Sequence, residues 1–217
     1  MSFPGADAEM DLTKIPQRND AFTLIELLVV ITVIAILIAL LFPAFNGVQD
    51  QAKRTQAKND LTQIVTAVNA FYTEYGKYPL VTADTVYGTT NSLLLNELRA
   101  TASATQNPRQ LVFISPPDVK DRTNPRSGIA TQATTINGIS VVIGDFVDPW
   151  GTPYKLAIDG NYDNQIANAY TDGSAGGDPN ATPAYALRSG VSAWSLGKDQ
   201  TIGTKTPPNT SFTNSDD

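Results

Sequence analysis

The sequence predicts an α+β protein in which a long N-terminal helical stem, membrane-spanning and then amphipathic, packs on a small antiparallel β-sheet head. Three observations carry this expectation. "FTLIELLVVITVIAILIALLFPAF", residues 22–45, is apolar except for one ionisable side chain, Glu26. The following "DQAKRTQAKNDLTQIVTAVNAFYTEYGKYP" places Leu61, Ile64, Val65, Val68, Phe71, Tyr72 and Tyr75 at helical spacing. Beyond it, short runs rich in β-branched and aromatic residues alternate with Gly, Pro and Asp punctuation.

Residues 1–21 are polar and carry Pro4, Gly5 and Pro16, which oppose a stable helix; they read as a leader. The apolar run from Phe22 to Phe45 would reach ~36 Å as a helix at ~1.5 Å per residue, enough to cross a bilayer core. A secretory signal peptide has a shorter apolar region with its small cleavage-site residue after it, whereas here Ala21 comes first. Pro43 and Gly47 are expected to bend or loosen the helix, and Gly76 with Pro79 to stop it. The stem therefore covers 22–75, with 22–45 as its transmembrane part, and the head covers 76–217. In the head, "NSLLLNELRA" predicts a short helix capped by Asn91 or Ser92. "RQLVFIS", "ISVVIGDFV", "PYKLAI", "AYALRS" and "VSAWSLG" predict an antiparallel sheet of about three to five strands. The polar stretches 116–138, 159–182 and 199–217 read as loops.

Composition removes several functions. With 15 Lys and Arg against 21 Asp and Glu, a net charge of −6 and a pI near 4.6, the chain lacks the clustered cations that nucleic-acid binding needs. Without cysteine or histidine there are no disulfides, no thiolate nucleophile, no Ser-His triad and few routes to a zinc site. No G-x-x-x-x-G-K-[ST] loop is present, so ATP-driven work would fall to another protein. These exclusions point away from an enzyme. Flanking charge does not orient the span, because Lys14 and Arg18 precede it while Lys53, Arg54 and Lys58 follow.

"AFTLIELLVVITVIAILIALLFPAF" resembles the N-terminus of type IV prepilins and of the pseudopilins of type II secretion. The shared features are a small residue before the cut, Phe22 directly after it, then Glu26 and Pro43; Ala21 stands where that family usually has glycine. The resemblance implies a type IV pilin-like fold and cleavage between Ala21 and Phe22 by a membrane aspartyl peptidase, the prepilin peptidase, with N-methylation of Phe22. It also implies a single-pass protein of the bacterial inner membrane with its head outside the cytoplasm. Homopolymers would form through the helical stems, driven by an assembly platform and its ATPase, giving a periplasmic or extracellular filament. "KYP" (77–79) and "DPWGTPYKLAI" (148–158) are similar to the major, G-type pseudopilin. Physically, Pro149, Gly151 and Pro153 fix a compact turn from which Trp150 and Tyr154 can clamp the helix. "WSLGKDQ" and the terminal "NSDD" are similar to that family's calcium loop, which implies calcium held by Asp199, Asp216 and Asp217. A solvated acidic tail is the plainer account of the same residues. "DGNYDNQ" (159–165) begins like an EF-hand loop, but Asn164 replaces the needed glycine and Tyr170 the bidentate glutamate, so an Asx-rich turn is expected.

Glu26 admits two roles. Thr23 and Glu26 have the spacing of a capping box, which the helix dipole also favours. After cleavage, Glu26 would instead neutralise the Phe22 amine of a neighbouring copy, relieving an acid that is costly in lipid. The expected function is a structural subunit of a type II secretion pseudopilus-like filament. The alternatives are a type IV pilus subunit for adhesion or motility, a minor pseudopilin, and a membrane-tethered enzyme or binding protein. The last explains an anchor but not the cut site, Glu26 and Pro43 together.

Overall fold

The computed structural model describes residues 22–169 and 186–202, with the side chains of 41–44 and 46 left out. The leader, Ala21, Asp216 and Asp217 lie outside the described residues. Two compact units divide after Gly47, one of the two residues, with Pro43, at which the helix was expected to bend or loosen.

Helix α1 runs Leu24–Tyr75. In the first unit every described side chain from Phe22 to Leu40 is exposed, although nearly all are apolar. Nothing in the chain's own core accounts for them. Among the described residues no helix is long and apolar enough to cross a membrane. The apolar run with described side chains stops at Leu40, short of the ~20 residues a span needs.

In the second unit the rest of α1 turns a stripe inward. Ala57, Ile64, Ala67, Val68 and Phe71 are buried, and Leu61, Val65 and Tyr75 pack at its margin. Tyr72 departs from the expected stripe: it is 40% exposed and stacks on Tyr78 instead. The helix closes at Gly76: its N–H makes the last i→i−4 bond, to the Tyr72 carbonyl at 2.8 Å, and its φ of +68° then turns the chain out of the helix in the left-handed conformation that glycine adopts without strain.

The stripe faces α2 (Ser92–Leu98) and a three-stranded antiparallel sheet ordered β1 (Thr85–Tyr87), β6 (Lys155–Ile158), β7 (Val191–Trp194). Register is set by pairs such as Val86 with Ala157 and Leu156 with Ala193. Central β6 is the most buried strand of this sheet, with Leu156, Ala157 and Ile158 all in the core, as expected of a strand covered on both faces. Two smaller pairs complete the head, β2 (Gly128–Ile129) with β5 (Phe146–Val147) and β3 (Thr134–Ile136) with β4 (Ile139–Val141).

Several expectations need correction. "RQLVFIS" forms no strand: Phe113 and Ile114 both send their N–H to the Leu98 carbonyl, so the segment wraps the end of α2. The expected loop 116–138 holds β2 and β3, and "ISVVIGDFV" splits into β4 and β5 around a turn. Asn137-Gly138, with φ of +50° and +85°, is the tight turn between β3 and β4, a hairpin signal that was present in the sequence. Of "AYALRS", residues 186–189 are described, and Leu187 makes an isolated bridge to Ile166.

Candidate assembly site

The N-terminal end of α1 carries the residues that the sequence singles out for processing and assembly. Phe22 is 76% exposed, and Glu26 lies one turn into the helix. Thr23 and Glu26 form the capping box in full. Glu26 Oε2 accepts the Thr23 backbone N–H at 2.8 Å and the Thr23 hydroxyl at 2.7 Å. Thr23 Oγ1 in turn accepts the Glu26 N–H at 3.3 Å. Two helix-end donors are thereby satisfied inside the chain. Both bonds to the carboxylate use one oxygen, and a carboxylate has room for about four donors, so capping leaves Glu26 capacity for a cation. The two roles are therefore compatible. The side chain of Pro43 is among those left out.

Two buried carboxylates in the head do structural work that the sequence did not reveal. Asn91 occupies the N-cap of α2 without capping it by its side chain. Its amide instead donates to the Phe146 and Tyr154 carbonyls and accepts the Phe146 N–H, locking α2 to β5 and to the "DPWG" turn. Asp145 supplies the cap from a distance: Oδ1 accepts the N–H groups of Asn91 and Ser92 and the Thr90 hydroxyl. Asp148 holds the turn. Its Oδ1 accepts the N–H groups of Trp150, Gly151 and Thr152, and its Oδ2 accepts the hydroxyls of Thr152 and Ser195. Gly151 is required there, because its φ is +99° and an added Cβ would meet the Pro125 carbonyl at 3.0 Å.

The clamp expected from Trp150 and Tyr154 is present. Trp150 is 6% exposed, and the buried Tyr154 hydroxyl donates to Asp60 Oδ2 on α1 at 2.8 Å. Burial pushes the Asp60 carboxyl above its ordinary range; the Tyr154 bond opposes this and the nearby Asp148 charge adds to it. Burial and the Asp60 charge likewise hold the Tyr154 phenol well above its usual range, so it remains a donor.

At the expected calcium loop, Asp199 is exposed and closes an Asx turn by accepting the Thr201 N–H at 3.0 Å. One carboxylate does not make a calcium shell of 6–8 oxygens, and its expected companions lie outside the described residues. "DGNYDNQ" forms the expected Asx-rich turn: Asp159 is buried and accepts the N–H groups of Tyr162 and Asn164. Sequence reasoning did not bring Asp84 to this loop, where carboxylate oxygens of Asp84, Asp159 and Asp163 lie within 4.8 Å of one another. Asp84 comes from the segment before β1, and Gly160 N–H and Asn161 Nδ2 hold it there.

Residues 16–42 match the prokaryotic N-terminal methylation motif. The chain is 38% identical over 69 residues to the type IV major pilin protein PilA of Myxococcus xanthus, covering 32% of this chain and 31% of that protein. It is 38% identical over 63 residues to the type II secretion system core protein G of Pseudomonas aeruginosa, covering 29% of this chain and 44% of that protein. The matched segments span less than half the length of either curated relative. No solved structure matches the chain.

Proposed function

We propose that this chain is a structural subunit of a filament of the type II secretion pseudopilus kind, with no catalytic role, polymerising through the N-terminal half of α1. One observation carries the reading: an all-round apolar helical segment, exposed from Phe22 to Leu40, whose single acid sits in the first turn with bonding capacity to spare. Such a surface is stable in lipid or against copies of itself, and unstable in water. The similarity of residues 16–42 to the methylation motif supports cleavage between Ala21 and Phe22.

In this reading a prepilin peptidase removes residues 1–21 and methylates the Phe22 amine, which keeps its positive charge. The apolar helix, continued through Pro43 to Phe45, waits in the inner membrane. It then exchanges lipid for helix-to-helix packing, while Glu26 of one copy meets the Phe22 amine of another. An acid within a membrane helix costs ~2.5–3.5 kcal/mol at the centre and less near an end, and pairing in the filament relieves that cost. An assembly platform and its ATPase supply the work. Calcium at Asp199, Asp216 and Asp217 would tie the end of the chain to the head, and chelation lowering the melting temperature of the full chain would support it.

A type IV pilus subunit is the second reading, favoured by the similarity to PilA over 69 residues. Deleting the gene separates them: loss of protein export supports the pseudopilus, loss of surface filaments with export intact the pilus. Mass spectrometry of the cell-derived protein tests both. The expected N-terminus is methylated Phe22, and an intact Met1 terminus in assembled material would overturn the scheme.

A further inference from the structure

A cleft of about 300 Å³ opens in the head between α1 and β7. Arg54 and Lys58 stand one turn apart on its helix side, and Leu61, Trp150, Ala193 and Trp194 supply an apolar wall. The volume lies at the small end of ligand-sized pockets, so it suits one or two side chains better than a whole cofactor. The indole N–H groups of both tryptophans are buried beyond an occupant's reach. What the cleft offers is therefore apolar surface beside two cations. Its chemistry selects an apolar or aromatic side chain with acids close by in the same segment.

The path of the chain brings such a segment to the spot. Beyond β7 the backbone turns at 197–200 against α1, where Lys198 Nζ donates to Asp50 Oδ2 at 2.8 Å, one turn before Arg54. The described chain ends four residues later, at the partly buried Ile202. The remaining "GTKTPPNTSFTNSDD", residues 203–217, holds one large apolar side chain, Phe212, with Asp216 and Asp217 four and five residues after it. From Asp50 to Leu61 the cleft side of α1 extends ~16 Å at ~1.5 Å per residue. As a flexible chain, the ten residues from Ile202 to Phe212 have a root-mean-square reach of ~17–19 Å. Reach and distance match, the condition under which a tethered segment attains its highest effective concentration, in the millimolar range. The same segment of a second copy would have to be as concentrated to compete. Tether length thus selects the chain's own segment, and charge agrees with it.

We infer that residues 203–217 dock in this cleft of the same chain, with Phe212 on the apolar wall and Asp216 and Asp217 beside Arg54 and Lys58. The contact straps β7, an edge strand of the sheet, to α1. It does not depend on the filament reading. It belongs to the ion-free chain: calcium, where bound, would take the same two acids, so the test is run in chelator.

The chain contains no cysteine, so introduced ones report without background. The full chain is dispersed in detergent with EDTA and oxidised. Lys58→Cys with Ser211→Cys should close a disulfide within one chain, roughly tenfold faster than Thr55→Cys with Ser211→Cys, because position 55 lies as near along α1 but outside the cleft. Equal rates would overturn the docking. Bonds that join two chains instead would give the cleft to a second copy and equally overturn it. A preference for position 58 seen with calcium but lost in EDTA would assign the strap to the ion, against the proposal. A second measurement leaves both cations in place: Phe212→Ala should raise acrylamide quenching of the tryptophans, both of which line the cleft, with circular dichroism unchanged. Quenching equal to wild type would overturn the contact.

Discussion

Glu26 accepts two bonds from Thr23 through a single oxygen, and that detail separates its local work as a cap from the pairing between copies that we propose for it. Glutamine keeps an acceptor for the cap but carries no charge. Glu26→Gln should leave the helix content seen by circular dichroism unchanged and abolish or sharply reduce filaments seen by electron microscopy. Wild-type assembly by that variant would reduce Glu26 to a helix cap. Asp60 gives a second prediction, of opposite electrostatic character. Its carboxyl is raised by burial, so the folded state holds the proton more tightly than the unfolded chain does. The stability this contributes is complete below the unfolded pKa and is lost as pH rises through the folded one. Above that range the ionised, buried carboxylate is therefore a cost, and there Asp60→Asn, which still accepts from Tyr154, should melt higher than wild type. The difference should vanish below about pH 4, where both side chains are neutral. Comparing the two proteins across pH cancels every contribution that they share.

The elements of the head are short, and side chains rather than long hydrogen-bond ladders fix their places. Strand β2 has two residues and α2 has seven, too few to be stable alone. Asp145 joins α2 to β5 by capping the helix from the residue before that strand, while Asn91 answers from the helix by bonding the backbone of Phe146. The β3–β4 pair buries one side chain from each strand, Ile136 and Val141, and its tight turn sets their register. Gly138→Val at φ of +85° should cost at least about 1–2 kcal/mol, the penalty for a left-handed side chain, and β-branching adds to it. Thermal unfolding of the two proteins measures the difference. Register in this hairpin was legible at Asn137-Gly138, yet the strands beside it are three residues each and their polar threonines resemble loop composition.

At the scale of the whole molecule, the residues that build the core and the apolar segment proposed to drive assembly belong to different parts of the chain. The core cluster draws its α1 residues from Ala57 onward, and the compact unit begins at Val48. A fragment of residues 48–217 should therefore fold cooperatively and stay soluble, while forming no filaments at any concentration. A sigmoidal melt and an absence of fibres by electron microscopy are the expected results. Aggregation or a featureless melt would show that the apolar half of α1 is needed for folding as well as for assembly. The division also explains why one helix carries two hydropathy patterns. Its first half is apolar on every side because it has no fixed inner face, and its second half is striped because the sheet and α2 cover one side.

Local pattern and spacing by themselves determined the helix, its stop at Gly76, the "DPWG" turn with its two aromatic clamps and the Thr23–Glu26 capping box; the expected cut between Ala21 and Phe22 came from the resemblance to prepilins. Each depends on neighbours within a few turns of chain, so it is written in consecutive residues. Tertiary structure alone decided that Asp145 caps α2, that Asn91 is a tie instead of a cap, and that "RQLVFIS" wraps a helix end instead of joining the sheet. It also brought Trp150 and Trp194 to one cleft and Asp84 beside Asp159. The cap, the cleft and the acidic cluster join residues some 44 to 75 positions apart, and one polar or apolar side chain reads the same in sequence whether its partner is water or a distant turn. Only closure of the chain chooses between them.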